Sequence, residues 1–203
     1  LINLSLNQDC PYNYYCPTAG GGPGGRCYVG CVADAMAMVF KYWNWPDQGV
    51  GSHTYTPQGY PTQTVDFSAT TYDWNNMPVS LSSGSPQAQI QAVATLMYHC
   101  GVSVNMQYSP QGSGAYSTDV PNAIAEHFKY TEHNELRDRD LYSKTQWEDM
   151  LIELFDEGFP AYYSGSGNGG GHAFVCDGYD NNRMFHFNWG WSGWCNSYYA
   201  IDA

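Results

Sequence analysis

The chain has 203 residues, which is enough for one domain with a buried core. Its 19 acidic and 7 basic side chains give a formal net charge of −12. Because phosphates repel a surface of this sign, neither nucleic acid nor an anionic membrane is expected as a partner. No apolar run approaches the roughly 18 residues that a membrane-spanning helix needs, so no span is expected either.

The composition favours a folded, secreted protein. Hydrophobic residues make up 43% of the chain, which argues against disorder. Only 13% of residues are charged, about half the usual share. The chain begins at Leu1 rather than Met, and no signal-peptide pattern follows, which is typical of a processed, mature chain.

The chain has seven cysteines, and an odd number in a secreted protein predicts an unpaired, reactive thiol. Cys10, Cys16 and Cys27 lie in a Pro- and Gly-rich stretch, where one or two disulfides are one interpretation. A zinc cluster that adds Cys31 is the competing one, disfavoured because no C-x-x-C pair is present. No metal and no cofactor are therefore expected.

Residues 1–29 look loop-like, and four helices are predicted after them. Apolar side chains recur at helical spacing in each helix, and Pro46 is expected to end the first one. Gly101 is the expected stop of the second, and Thr145 with Glu148 has the spacing of a capping box in the fourth. The four predicted ranges are Cys31–Trp43, Gln87–Cys100, Asp119–Phe128 and Thr145–Glu157.

Short runs with strand character follow Pro160, separated by Gly- and Asn-rich turns. An isolated β-like piece is also expected at His53–Thr56. Helices followed by strands predict an α+β fold, with a helical part at about 1–158 and an antiparallel sheet at about 159–203. The four predicted strands are Ala161–Ser164, His172–Tyr179, Met184–Asn188 and Ser197–Asp202.

Cys31 is the candidate nucleophile, because it begins the most apolar helix directly after Gly30. Backbone N–H groups at a helix start stabilise a thiolate by about 0.3–1 kcal/mol from the dipole alone. Gly30 is expected to let substrate approach the sulfur. Cys100 ends a predicted helix, where the dipole has the wrong sign, and Cys176 lies inside a strand. The alternative for Cys31 is a buried apolar thiol.

His172 is the candidate general base. It opens a predicted strand after Gly169-Gly170-Gly171, and Gly170 and Gly171 leave room for substrate beside it. An ordinary loop histidine remains the alternative.

Four further residues complete the candidate site. The Asn188 amide is expected to accept the imidazole N–H, and Trp189 to keep water away from that bond. Trp191 is a candidate wall of the cleft, although Trp189 and Trp191 also fit ordinary aromatic packing. Gln8 lies upstream of the nucleophile and is the candidate donor to an oxyanion, together with the Cys31 N–H.

Taken together, these motifs resemble the streptopain family of cysteine peptidases, over about residues 7–202. The resemblance rests on the following segments: Asn7-Gln8 with Pro11-Tyr12-Asn13, Gly30-Cys31-Val32-Ala33, Lys41-Tyr42, Thr54-Tyr55-Thr56, Trp74-Asn75-Asn76, Gly101-Val102-Ser103-Val104, Gly170-Gly171-His172-Ala173-Phe174-Val175 and Asn188-Trp189-Gly190-Trp191.

The resemblance implies a single papain-like catalytic domain and a secreted bacterial cysteine endopeptidase that acts on proteins or peptides as a monomer. It implies a zymogen with an inhibitory N-terminal propeptide, and a preference for a hydrophobic side chain two residues before the cut. By match to the family motifs, Cys31 is the nucleophile, His172 the base and Gln8 the oxyanion donor, with Asn188 and Trp189 supporting His172.

The chain departs from the family pattern at several positions. The pattern has Thr at the position of Asp34 and Gln at that of Met38, and it continues past Ala203 into a Gly-rich tail. Cys10, Cys16, Cys27 and Cys195 are also outside the pattern.

Two other functions remain open at this point. The same site suits an amidase or transglutaminase-like acyl transferase, and the Trp and Tyr content suits a non-catalytic binding module.

Overall fold

The computed structural model describes residues 1–201, which contain four α-helices and six strands. The predicted α+β class is confirmed, with helices in the first part of the chain and an antiparallel sheet after them. The helices are α1 Cys31–Trp43, α2 Gln87–Ser103, α3 Val120–His127 and α4 Lys144–Asp156. The strands are β1 Ser52–Tyr55, β2 Gln63–Asp66, β3 Ala161–Gly167, β4 Gly170–Tyr179, β5 Phe185–Asn188 and β6 Ser197–Tyr199.

Helix α1 is the centre of the main hydrophobic core. Every residue from Val32 to Met38 is buried, so this part of the helix is enclosed on all sides, whereas Tyr42 and Trp43 at its end are exposed. It ends at Trp43, because Asn44 takes a left-handed conformation with φ of 48° and its N–H bonds back to the carbonyls of Phe40 and Lys41. The helix thus stops before Pro46, the residue expected to end it.

Two predicted details of the other helices are wrong. Helix α2 continues through Gly101 to Ser103. A Cβ at Gly101 would lie 2.7 Å from the Tyr108 hydroxyl, so this glycine serves close packing and not termination. The capping box of α4 is formed by Ser143 and Gln146, two residues before the Thr145–Glu148 pair that the spacing suggested.

The predicted strands form one four-stranded antiparallel sheet in the order β3-β4-β5-β6. The central strand β4 pairs with β3 so that His172 lies opposite Gly165, and with β5 so that Val175 lies opposite Asn188. Strand β2, which was not predicted, pairs with β1 in a separate two-stranded sheet.

Strand β4 is buried on both faces, because α1 covers one face of the sheet and α4 the other. Ala173 and Val175 belong to the core around α1, whereas Phe174 and Cys176 belong to a second cluster with Trp147 of α4. This sandwich fixes the start of β4 next to the start of α1.

The N-terminal residues lie against the sheet, although they form neither helix nor strand. Ile2, Leu4 and Leu6 are buried in the main core. The Ile2 N–H bonds to the Asp177 carboxylate, which also pairs with His186. The segment leading to Gln8 is therefore held in place by side chains of β4 and β5.

All seven cysteines are free thiols in the structure, so neither of the disulfides considered for the N-terminal stretch is present. Within residues 1–201, no cluster of three or more His, Cys, Asp or Glu side chains has the arrangement of a metal site. The same residues include no helix that is long and apolar enough to cross a membrane.

Candidate active site

Cys31 is the first residue of α1, and its sulfur points toward strand β4. The Ala173 N–H of β4 lies near this sulfur, as do the N–H groups of Val32 and of Cys31 itself, and all three act to lower the pKa of the thiol. The Cys31 side chain is half-buried. The contact with Ala173 places the sulfur beside the residue that directly follows His172.

The pKa of the Cys31 thiol is raised, contrary to the lowering expected from a helix start. Burial is the largest cause, and the negative charge of nearby Asp34 adds to it. The N–H groups of Ala173, Val32 and Cys31 oppose the rise without cancelling it. The helix start therefore contributes as predicted, but desolvation outweighs it.

Gly30 has a different role from the one that the sequence suggested. Its φ is +95°, and a Cβ at this position would lie 2.5 Å from the Met106 sulfur and 3.2 Å from the Ser113 carbonyl oxygen. The missing side chain therefore faces the core and not a substrate. Gly30 permits the sharp turn into α1 that exposes the Cys31 sulfur to β4.

His172 is half-buried at the start of β4, and its imidazole is fixed by a backbone group. The Nε2 atom lies 2.9 Å from the Trp189 carbonyl oxygen. The ring stacks on Trp191, with centroids 4.8 Å apart and planes 24° apart. Burial lowers the pKa of His172, and the bond to the Trp189 carbonyl partly opposes that shift.

The predicted bond between Asn188 and His172 is absent, and this is a correction. Asn188 is fully buried, its Nδ2 donates to the Leu4 carbonyl at 2.8 Å, and its Oδ1 accepts the Gly190 N–H at 3.2 Å. The amide is thus occupied in tying the N-terminal segment to the turn after β5. Trp189 supports His172 through its backbone carbonyl, which the Asn188 side chain helps to place.

Trp189 is itself held on two sides. Its N–H donates to the Asn196 side chain at 3.1 Å, and its indole N–H donates to the Cys195 carbonyl at 3.0 Å. The indole packs against Phe174 with ring centroids 4.4 Å apart. These contacts keep the carbonyl that binds His172 from moving.

Gln8 lies close to the segment that enters α1. Its carbonyl accepts the Val29 N–H at 2.9 Å, and its own N–H donates to the Asn7 side chain at 2.7 Å. Gln8 is half-buried, and Val29, to which its carbonyl bonds, lies two residues before Cys31. The role of the Gln8 side chain as oxyanion donor stays a prediction.

Gly170 and Gly171 line the open side of the site. Gly170 has a φ of +107° in the hairpin between β3 and β4, and a Cβ there would meet nothing within 4 Å. A Cβ on Gly171 would approach only the Gly165 carbonyl, at 3.9 Å. Neither glycine is therefore crowded by its neighbours, and their place in a substrate cleft stays a prediction.

Two backbone groups near Cys31 and His172, and the side chain of Asp34, were not among the predicted site residues. The Ala173 N–H and the Trp189 carbonyl are backbone groups, so no sequence motif predicts their contacts. Asp34 is 1% exposed, and its Oδ1 has no hydrogen-bond partner within residues 1–201. Its burial follows from its place among the apolar residues Val32 to Met38 of α1.

Comparison with known proteins gives the family. Residues 6–199 match the sequence model of the peptidase C10 family. The thiol protease/hemagglutinin PrtT of Porphyromonas gingivalis is 36% identical over 199 residues, which cover 97% of this chain and 23% of that protein. Streptopain of Streptococcus pyogenes is 35% identical over 214 residues, covering 98% of this chain and 54% of streptopain. The chain thus spans about half of streptopain and less than a quarter of PrtT.

Solved structures agree with this assignment. The active wild-type interpain A cysteine protease of Prevotella intermedia superposes with a TM-score of 0.92 at 39% identity, covering all of this chain and 85% of that one. A prointerpain A fragment from the same organism superposes with a TM-score of 0.91, also at 39% identity, covering all of this chain and 64% of that one. The chain belongs to the peptidase C10 family.

Proposed function

We propose that this chain is a secreted bacterial cysteine endopeptidase in which Cys31 is the nucleophile and His172 the general base. The observation that carries the proposal is the Ala173 N–H near the Cys31 sulfur, directly beside His172. Family membership supports it, because the relatives named above are thiol or cysteine proteases. The alternatives of a binding module and of an acyl transferase have no comparable support.

The first step is proton transfer from the thiol to the imidazole. Burial favours the neutral form of Cys31 and of His172 when each is considered alone. The thiolate and the imidazolium therefore form together, since each charge stabilises the other. The Ala173 N–H stabilises the thiolate, and the Trp189 carbonyl stabilises the imidazolium.

The thiolate then attacks the carbonyl carbon of the peptide bond and forms a carbon–sulfur bond. The resulting oxyanion accepts hydrogen bonds from the Cys31 N–H and the Gln8 side chain. The imidazolium of His172 donates its proton to the leaving amine as the carbon–nitrogen bond breaks. Water, deprotonated by the neutral imidazole, releases the acyl group and restores the thiol.

The aromatic side chains around His172 keep this chemistry dry and oriented. Trp191 covers one face of the imidazole, and a cation over an aromatic face gains about 0.5–2 kcal/mol. Asn188 acts indirectly, by holding the turn that presents the Trp189 carbonyl. Gly170 and Gly171 leave the opposite side open for an extended substrate.

Several finer features belong to the same proposal. The substrate is a protein or peptide with a hydrophobic side chain two residues before the cut. The chain works as a single papain-like domain and as a monomer, with a propeptide as its inhibitor in the zymogen. The likeness to a prointerpain A fragment supports the zymogen.

The decisive experiment replaces the nucleophile. Cys31→Ala is expected to lower casein cleavage by a factor of about 10³ or more, because no second nucleophile occupies the site. Cys195→Ala, which removes an exposed thiol, is the matched control and should retain activity. Unchanged cleavage by Cys31→Ala would end the proposal.

A labelling experiment tests the same site without a substrate. Mild iodoacetamide treatment at slightly acidic pH should modify Cys31 before Cys10 or Cys195, although both of these are more exposed. Adding an amine nucleophile to the cleavage assay separates hydrolysis from acyl transfer, since a transferase would yield the amide product.

A further inference from the structure

Asp34 is a buried acidic side chain that the proposed mechanism does not use. It is the fourth residue of α1, one helical turn from Cys31, and only 1% of it is exposed. Its Oδ1 atom has no hydrogen-bond partner within residues 1–201. A buried carboxylate without a partner is strongly unfavourable, whereas a neutral carboxyl at the same place is tolerated.

The Asp34 carboxyl packs directly against the turn that follows β5. A Cβ at Gly190 would lie 1.9 Å from Oδ2 and 3.0 Å from Cγ of Asp34, so only glycine fits above this carboxyl. The residue before Gly190 is Trp189, whose carbonyl binds His172. The Asp34 side chain therefore lies on α1, the helix that begins with Cys31, and contacts the turn whose Trp189 carbonyl binds His172.

The ionisable groups that Asp34 faces are all acids. They are Cys31 on the same helix, Tyr12 of the N-terminal segment and Cys100 of α2, and the charge of Asp34 raises the pKa of each. Burial raises the pKa of Asp34 itself well above its usual range. Within residues 1–201, no Lys, Arg or His side chain forms an ion pair with Asp34. A negative charge here would oppose formation of the Cys31 thiolate.

We propose that Asp34 is a positioning residue that keeps its proton at neutral pH and packs as a neutral carboxyl against the turn carrying Trp189. When it loses that proton at higher pH, the buried charge disfavours the Cys31 thiolate and reduces activity. This inference rests on the proposed peptidase function.

The test is the neutral isostere Asp34→Asn. Near pH 6 its kcat/KM should stay within about threefold of the wild type, because the amide fills the same space as the protonated acid. The alkaline limb of kcat/KM should move to higher pH. At pH 8, Cys31 alkylation should be about threefold or more faster than in the wild type, since half a pKa unit is about threefold. Glu153→Gln, which removes an exposed carboxylate on α4, is the matched control and should change neither profile.

Thermal melting gives a readout that does not depend on activity. The folded state keeps a proton that the unfolded chain releases above about pH 4, so Asp34 costs stability increasingly as pH rises from that value toward its folded pKa. Asp34→Asn should therefore melt about 4 °C or more above the wild type at pH 8, and at nearly the same temperature at pH 4.5. An equal difference at both pH values would contradict the inference.

Carbon-13 NMR of aspartate-labelled wild-type protein observes the carboxyl directly, with Asp34→Asn or Asp34→Thr used for assignment. A protonated Asp34 carboxyl at pH 7 supports the inference, and an ionised one overturns it. An unchanged alkaline limb in Asp34→Asn also overturns it. If the wild type cleaves no peptide, the proposed function fails, while labelling, melting and NMR still decide the state of Asp34.

Discussion

Substituting Asn188 distinguishes two views of how the base is held. From the sequence, this amide was expected to bind the His172 ring, and its loss would then change the titration of the imidazole directly. In the structure, the amide bonds to the Leu4 carbonyl and the Gly190 N–H instead, and the ring bonds to the Trp189 carbonyl. Asn188→Ala should therefore act mainly on stability.

The expected cost follows from the two groups left without partners. Asn188 is fully buried, so truncation leaves one carbonyl and one N–H unsatisfied in the core. Each orphaned group costs about 1–3 kcal/mol, so the free energy of unfolding should fall by about 2–6 kcal/mol. For a chain of this length, that lowers the melting temperature by at least about 4 °C.

Urea denaturation and the NMR titration of His172 measure the two effects separately. Asn181→Ala, at an exposed turn position, is the matched control and should change the unfolding free energy by less than about 0.5 kcal/mol. The reasoning is refuted if Asn188→Ala costs under about 1 kcal/mol while the His172 titration shifts strongly, because that combination requires a direct bond.

Two further predictions concern the buried histidine His99 and the turn glycine Gly190. Burial lowers the pKa of His99, which pairs with the Tyr72 hydroxyl, to about 4. The unfolded chain therefore takes up a proton that the folded chain refuses, and about 3 kcal/mol of stability should be lost as pH falls from about 6.5 to 4. His99→Gln should flatten that loss in urea denaturation, whereas the exposed His133→Gln should not. Gly190→Ala, at φ of +71° and against Asp34, should lower both the melting temperature and kcat/KM, and wild-type values for both would contradict the tight packing seen there.

The periodic elements were predictable because each has a strong local pattern. Helix α1 and strands β4 and β5 lie within a few residues of their predicted ranges. Strand β2 was missed because it is only four residues long, Gln63–Asp66, and the polar side chains of Gln63, Thr64 and Asp66 give it little apolar pattern, although it pairs with the preceding strand β1. Helix ends were misassigned where a tertiary contact, such as that of Gly101 with Tyr108, gave a glycine another purpose.

The candidate site was predictable where side chains carry it and not where the backbone does. Cys31 was predicted at a helix start and His172 at a strand start, and the structure packs these two elements together, while the catalytic roles of both residues stay a proposal. The partner of His172 was assigned to the Asn188 amide, yet a carbonyl one residue later makes the contact. Peptide carbonyls are chemically identical at every position, so only the conformation of the turn selects this one.

This dependence on the turn explains why the site needs so many supports outside it. The Trp189 carbonyl must remain within hydrogen-bond distance of His172, but nothing in its own chemistry fixes its direction. The Gly190 N–H bonds to the Asn188 side chain and the Trp189 N–H bonds to the Asn196 side chain. The Asp34 carboxyl packs against Gly190. Together these contacts hold the turn and so set the direction of the carbonyl. Asp34 comes from α1, and the Asn188 side chain also binds the Leu4 carbonyl of the N-terminal segment, so these contacts form only once the N-terminal segment, α1 and the sheet have packed together. Variants of the turn should therefore lower stability first, and should change the titration of His172 only where they displace the Trp189 carbonyl.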